Sequence, residues 1–262
     1  MIKPPTALVI FAAIAAVMLL RLLVWMGVRR LAADPFIRRG FPRARTGIAL
    51  VVLAAAYFGA LFGGLIQPLV EAAEVLRIDH AVNEFFAPWR KDPILLYVFL
   101  WITVLGAGPA LTAVAATASG FLWIGDRVRV IAPLWVAFVG AQTTTWIGKY
   151  AIGRDRPNFF EAVTAASPSF PSGHATGSLA MFGFLAYLLA RDLPRPRARL
   201  EIVFWTALLI ALIGFSRIFL SLHYLTDVIG GFLVGAFWLI AGIALAERAR
   251  RAPPPPSYFT QA

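Results

Sequence analysis

Between Ile94 and Gly125 the chain carries no charged side chain. A run of that kind has few folded destinations. A hydrocarbon core of about 30 Å takes roughly 20 apolar residues in helical form. Lipid offers no partner for free backbone groups, so the run must be helical. Six further predominantly apolar runs lie near 7–28, 46–67, 130–148, 174–190, 201–218 and 226–246. Together they predict seven spans and an all-α fold class, a polytopic membrane helix bundle. The run from Ile94 is longer than one straight crossing needs, and Gly106, Gly108 and Pro109 predict a kink or tilt in it.

Composition closes the other routes. Of 262 residues 60% are hydrophobic and 14% charged, whereas soluble domains run at about 45–50% and about 25%. A soluble domain this long still exposes roughly a quarter of its unfolded surface. A water-soluble globule, a disordered chain and a collagen-like chain are therefore excluded. The absence of cysteine excludes a disulfide scaffold, an iron–sulfur site and a thiolate zinc site.

The net charge is +11, and arginine supplies 21 of the 24 basic residues. Nucleic-acid binders gather such charge on one face. Here it comes in short bursts between apolar runs, which argues against nucleic acid and for membrane topology. The basic segments are Arg29–Arg45 with six arginines, Asp126–Arg129, Arg191–Arg199 and the tail from Arg248. They alternate along the chain, so they share one side, and the positive-inside rule makes that side the cytoplasm. The N-terminus, residues 68–93, 149–173 and 219–225 face the opposite way.

Several local features complete this reading. Arg21 lies inside the first run, where it marks a functional site, snorkels to the cytoplasmic face or pairs with a neighbouring helix, the last two weighing more. The first run is read as a retained span and not a cleaved signal. Residues 68–90 place Val75, Ile78, Val82, Phe85 and Phe86 at helical spacing, with Glu71, Glu74, Asp79 and Glu84 elsewhere. That pattern predicts an amphipathic helix on the outer membrane surface. The proline run at Pro253–Pro256 predicts a disordered tail. Trp25, Trp123 and Trp146 lie near span ends, as interfacial tryptophans do.

In so apolar a chain, polar clusters at span ends carry the information. Three are predicted at the outer side: Lys149–Pro157, reading K-Y-A-I-G-R-D-R-P; Pro171–His174, reading P-S-G-H; and Ser216–Asp227, reading S-R-I-F-L-S-L-H-Y-L-T-D. Between His174 and Ser216 there is chain for one crossing inward, a basic loop and one crossing back, which brings all three clusters to one face. Lys149 and Arg156 are seven apart and on a helix would share a face. Arg217 adds a third cation. Three converging cations need an anion, and phosphate matches guanidinium geometry. Ser172 and Gly173 precede a helix predicted to begin near His174, and a helix N-terminus presents free N–H groups to an anion. His223 and Asp227, four apart, are predicted neighbours on one helix face. The carboxylate can accept from one ring nitrogen and leave the other as nucleophile or base. His174 is a second imidazole able to give or take a proton.

The pattern K-x6-R-P, P-S-G-H and S-R-x5-H-x3-D resembles the three-part signature of the type 2 phosphatidic acid phosphatases. These are lipid phosphate phosphatases related in their active site to vanadium-dependent haloperoxidases. All eleven fixed positions are present: Lys149, Arg156, Pro157, Pro171, Ser172, Gly173, His174, Ser216, Arg217, His223 and Asp227. The resemblance implies a six-helix core over 46–246, an added N-terminal helix and basic loop over 1–45, and a tail over 247–262. It implies that His223 attacks phosphorus to form a phosphohistidine, that Asp227 orients it, and that His174 protonates the leaving oxygen and then activates water. Lys149, Arg156, Ser172, Gly173 and Arg217 would bind the phosphoryl group. It also implies no metal and no cofactor, with a lipid phosphate as substrate and membrane lipids as partners. The implied place is a bacterial-type inner membrane, with the site on the periplasmic side and the C-terminus in the cytoplasm.

Other readings stand beside this one. The same site could pass phosphate from lipid to lipid, or serve a transporter as an anion site; a haloperoxidase fits the chemistry but not the insolubility. Pro157 and Pro171 are expected to end helices, and Ser216 either closes a helix or supports the site. His80 is expected at the surface. Arg154 and Asp155 either pair with each other or guide substrate. The headgroup stays open among undecaprenyl diphosphate, phosphatidylglycerol phosphate, phosphatidic acid and lipid A phosphates, and oligomeric state is not readable.

Overall fold

The computed structural model describes residues 6–33, 68, 71–157 and 167–251. The expected span at 46–67, the basic residues 34–45 and the proline tail lie outside them. The described residues form helices and no strands: α1 (Thr6–Ala33), α2 (Ala73–Phe86), α3 (Pro93–Val104), α4 (Gly108–Ile124), α5 (Ile131–Ile152), α6 (Gly173–Arg191), α7 (Pro196–Phe219) and α8 (Leu225–Arg251). Short 3-10 turns at Trp89–Lys91 and Val128–Val130 lead into α3 and α5.

Four of these segments are long and apolar enough to cross a membrane: Val128–Ile152, Gly173–Arg191, Pro196–Phe219 and Leu225–Arg251. The kinked span expected from Ile94 onward is a broken pair, α3 and α4, bent by 47°. The break falls at the predicted residues. Asp92 caps α3 by accepting from Ile94 N and Leu95 N. Ala107 is extended and Pro109 opens α4, where its missing N–H costs nothing. α6 is central, packed against α8, α7 and α5. Leu111, Leu134, Phe138, Met181, Phe184 and Leu188 fill the core beneath it. Large apolar side chains such as Trp101, Phe121 and Trp123 stay exposed around the bundle, as lipid contact permits.

α8 approaches α6 closely because Gly231 faces its start. A Cβ there would lie 2.6 Å from Ser172 O. Arg21 resolves in favour of pairing, since its guanidinium grips both oxygens of Glu201 on α7 at 2.9 and 2.5 Å. α8 continues to Arg251, into residues expected to be tail. The helix persists because its last turn carries Arg248, Arg250 and Arg251, which complement the negative end of the helix dipole.

α2 departs from expectation. Ile78 and Phe85 are exposed, whereas Asp79 is buried at 1% exposure. The face turned inward therefore runs through Asp79, Val82, Asn83 and Phe86 instead of the purely apolar stripe. A buried arginine supplies the reason, because a carboxylate with a charged partner can be buried where a lone one cannot.

Candidate active site

Three stretches of chain meet at one end of the bundle: the one leaving α5, the one entering α6 and the turn between α7 and α8. α5 ends at Ile152, and Gly153 takes a left-handed conformation (φ +67) with its N–H on Lys149 O at 2.9 Å. Glycine adopts this geometry without steric cost. Arg156 is therefore not on the helix with Lys149, contrary to the seven-residue spacing argument. The turn bends the chain back, and both side chains still reach one cavity.

His223 also lies off the helix, in the turn Leu220–Tyr224, because α7 stops at Phe219 and α8 starts at Leu225. Asp227 stands in the first turn of α8 and accepts from Tyr224 N at 2.8 Å, the backward half of a capping box. His223 and Asp227 are thus neighbours through a helix start and not through a shared helix face.

The cavity measures about 720 Å³ and is bordered by Lys149, Arg156, Gly173, His174, Arg217 and His223. Backbone oxygens aim the cations. Lys149 Nζ donates to Pro168 O and, at 3.3 Å, to Ser169 O. Arg156 donates to Ser167 O at 2.8 Å and to Leu222 O at 2.7 Å. Arg217 Nη1 donates to Thr103 Oγ1 at 2.7 Å, across from α3. Among the described residues, Arg217 Nε and Ser172 Oγ are buried with no hydrogen-bond partner. Buried orphans of this kind call for an explanation, and an anion accepts from both. Ser172 is the N-cap of α6, so the first N–H groups of that helix open beside it.

The imidazole geometry is more specific. His223 Nε2 lies 3.3 Å from Arg156 Nη1. Arginine only donates, so this nitrogen carries the lone pair. The proton is then on Nδ1, which faces Asp227 Oδ2 at 3.4 Å and Ser169 Oγ at 3.3 Å. Burial, with the Arg217 and Arg156 charges nearby, pushes the His223 pKa down to about 3 against the pull of Asp227. The ring is neutral at ordinary pH, with its electron pair facing Arg156 at the wall of the cation-lined cavity. His174, the second residue of α6, is half-buried and lines the same cavity. A Cβ on Gly106, at the α3–α4 break, would approach its ring to 3.2 Å.

The structure answers the open assignments. Ser216 closes its own helix, bonding Ile213 O at 2.6 Å. His80 is exposed, with its ring edge-on to Tyr224. Arg154 neither pairs with Asp155, which is exposed, nor faces the cavity. It is buried and joins Asp79 at 2.7 Å to Asp227 at 2.6 Å. Ser169 was absent from the expected site, yet its hydroxyl donates to Asp227 Oδ2 at 2.5 Å. Its one sequence signal is a position two residues ahead of P-S-G-H. Asp79 and Thr103 had none, being far along the chain from their partners.

Residues 130–251 match the PAP2 superfamily, a stretch holding all three polar clusters. The chain is 30% identical to phosphatidylglycerophosphatase B of Bacillus subtilis over 185 residues, which cover 70% of this chain and 91% of that protein. The chain belongs to the PAP2 superfamily. It is also 33% identical to lipid A 1-phosphatase of Rhizobium johnstonii over 135 residues, 44% of this chain and 51% of that one. Its fold is that of the crystal structure of a transmembrane PAP2 type phosphatidylglycerolphosphate phosphatase from Bacillus subtilis. The TM-score is 0.63 at 24% identity, over 79% of this chain and 98% of the other. Asp79, Arg90 and Thr103 fall outside the residues matched to the PAP2 superfamily.

Proposed function

We propose that this PAP2 protein is an integral-membrane lipid phosphatase, hydrolysing a lipid phosphate or diphosphate monoester through a phosphohistidine on His223. One observation carries the reading: Arg156 on one side and Asp227 on the other fix the tautomer of His223, with the proton on Nδ1 and the lone pair on Nε2 at the cavity.

In the first step Nε2 attacks phosphorus and the bond from phosphorus to the lipid oxygen breaks. The bound phosphate anion offsets the cations of the cavity so that His174 holds a proton, which it gives to that oxygen. In the second step water attacks phosphorus and hands a proton to His174. The P–N bond breaks, orthophosphate leaves and His223 is again neutral. Lys149, Arg156 and Arg217, with Ser172 and the Gly173 backbone, neutralise charge on the phosphoryl oxygens. No step calls on a metal.

The same reading divides the chain into an added helix and loop over 1–45, a phosphatase core over 46–246 and a tail. It sets the site on the periplasmic side of a bacterial-type inner membrane. The arginines around Arg127, Arg191–Arg199 and Arg248, at the other end of the bundle, support the cytoplasm for that end and for the C-terminus.

The test is phosphate release by purified protein in detergent from undecaprenyl diphosphate, phosphatidylglycerol phosphate, phosphatidic acid and a lipid A phosphate, with and without chelator. At least one is hydrolysed, chelator leaves the rate unchanged, and His223→Ala abolishes it. Full activity in His223→Ala overturns the mechanism.

A further inference from the structure

The roles assigned to the three motif clusters leave some buried charges unaccounted for, Arg154 and Asp79 among them. Arg154 and Asp79 are enclosed, with side chains 6% and 0% exposed. Neither borders the cavity. Arg154 Nη1 donates to Asp227 Oδ1 at 2.6 Å and to Thr226 Oγ1 at 2.8 Å. Its Nη2 donates to Asp79 Oδ2 at 2.7 Å. Asp79 in turn accepts from Thr226 N at 3.1 Å and from Thr226 Oγ1 at 2.5 Å. The guanidinium lies over the Tyr224 ring, 4.5 Å from its centroid.

We infer that Arg154 and Asp79 form a positioning pair for Asp227, which makes α2 a working part of the catalytic centre. The inference rests on His223 being the nucleophile.

Geometry gives the first half of the argument. Asp227 has both oxygens committed, Oδ1 to Arg154 and Oδ2 to Ser169 Oγ, Tyr224 N and the His223 side. A carboxylate held at both oxygens cannot rotate, so it fixes the imidazole plane. Charge gives the second half. As Nε2 bonds to phosphorus, His223 gains positive charge that a carboxylate at Nδ1 stabilises. Arg154 alone would neutralise Asp227 and weaken that effect. Asp79 offsets Arg154, so two carboxylates and one guanidinium leave one net negative charge beside the imidazole.

α2 holds the far flank of the same turn as well. Asn83 Oδ1 accepts from Ser221 Oγ at 2.8 Å and from Arg90, and Arg90 donates to Phe219 O and Ile218 O. His223 lies between these two clamps.

A buried ion pair can serve stability alone, so the experiment separates the roles. The probe is whichever of the four lipids above the wild-type protein hydrolyses fastest. Asp79→Asn keeps the shape and removes the charge. Arg154→Lys keeps the charge and loses the fork that reaches both carboxylates. Each lowers kcat about tenfold or more with KM within about twofold, and the double variant is no slower than the slower single. Glu74→Gln, on the exposed side of α2, changes neither. Wild-type kcat per folded molecule in Asp79→Asn, with only a lower melting temperature, overturns the inference, as does a rise confined to KM. If Asp79→Asn does not fold, Arg154→Lys decides by the same criteria. An inactive His223→Ala beside a fully active Asp79→Asn sinks this inference alone, whereas an active His223→Ala sinks the reading beneath it.

Discussion

Arg156 cannot accept a hydrogen bond, and that property of one side chain sets the tautomer of His223. Its consequence for stability has a definite sign. In the unfolded chain a histidine binds its proton near pH 6.5. In the folded protein His223 stays neutral down to about 3. The unfolded state therefore binds more protons between these values. The contribution of His223 to stability is complete above pH 6.5 and is lost as pH falls toward 3. A melting series from pH 7 to 4 checks this: His223→Gln shows a shallower fall in Tm than the wild type, and coincident slopes refute it. Arg217 depends on a neighbour in the same way. Thr103→Val removes the acceptor of its Nη1 and leaves a buried donor unpaired, a cost of about 1–3 kcal/mol. The expected readout is a raised KM for the lipid phosphate.

Among the elements, the broken pair α3–α4 carries more function than its apolar sequence suggests. The break admits the start of α6, and Gly106 is the residue that leaves room for His174 and Ile213. Gly106→Ala crowds the His174 ring and lowers kcat, whereas Gly120→Ala, on α4 outside the cavity lining and with nothing within 4 Å of its added Cβ, leaves kcat unchanged. Steady-state kinetics on the two variants decides it. Equal rates would show that the break does not position His174. α2 teaches a related lesson. Its apolar periodicity is present, but the buried face is chosen by Asp79 and Asn83, because polar partners in the bundle cost more to leave unpaired than Ile78 and Phe85 cost to leave at a lipid surface.

For the whole molecule, alternation of polar clusters and arginine loops predicts which end faces which compartment. The chain has no cysteine, so single cysteines report orientation without background. Asp155→Cys, exposed at the site end, is expected to react with a membrane-impermeant maleimide in intact spheroplasts. Pro194→Cys, exposed between α6 and α7, reacts only after the membrane is opened. The reverse pattern overturns the periplasmic placement of the site.

Helix content, the kink near Gly106 and the gathering of Lys149, Arg156, His174, Arg217, His223 and Asp227 were legible in the chain. Their physical causes are local or one-dimensional. Lipid forces apolar runs into helices, proline and glycine break them, and run lengths dictate which ends meet. The tertiary structure alone decided how those residues are aimed. Gly153 and the Leu220–Tyr224 turn took Arg156 and His223 off the helices on which spacing had placed them. Ser169, Asp79, Arg154 and Thr103 entered the site through contacts between chain-distant residues. No pattern along a sequence records such contacts, because a buried charge finds its partner by proximity in space, and proximity exists only once the helices have packed.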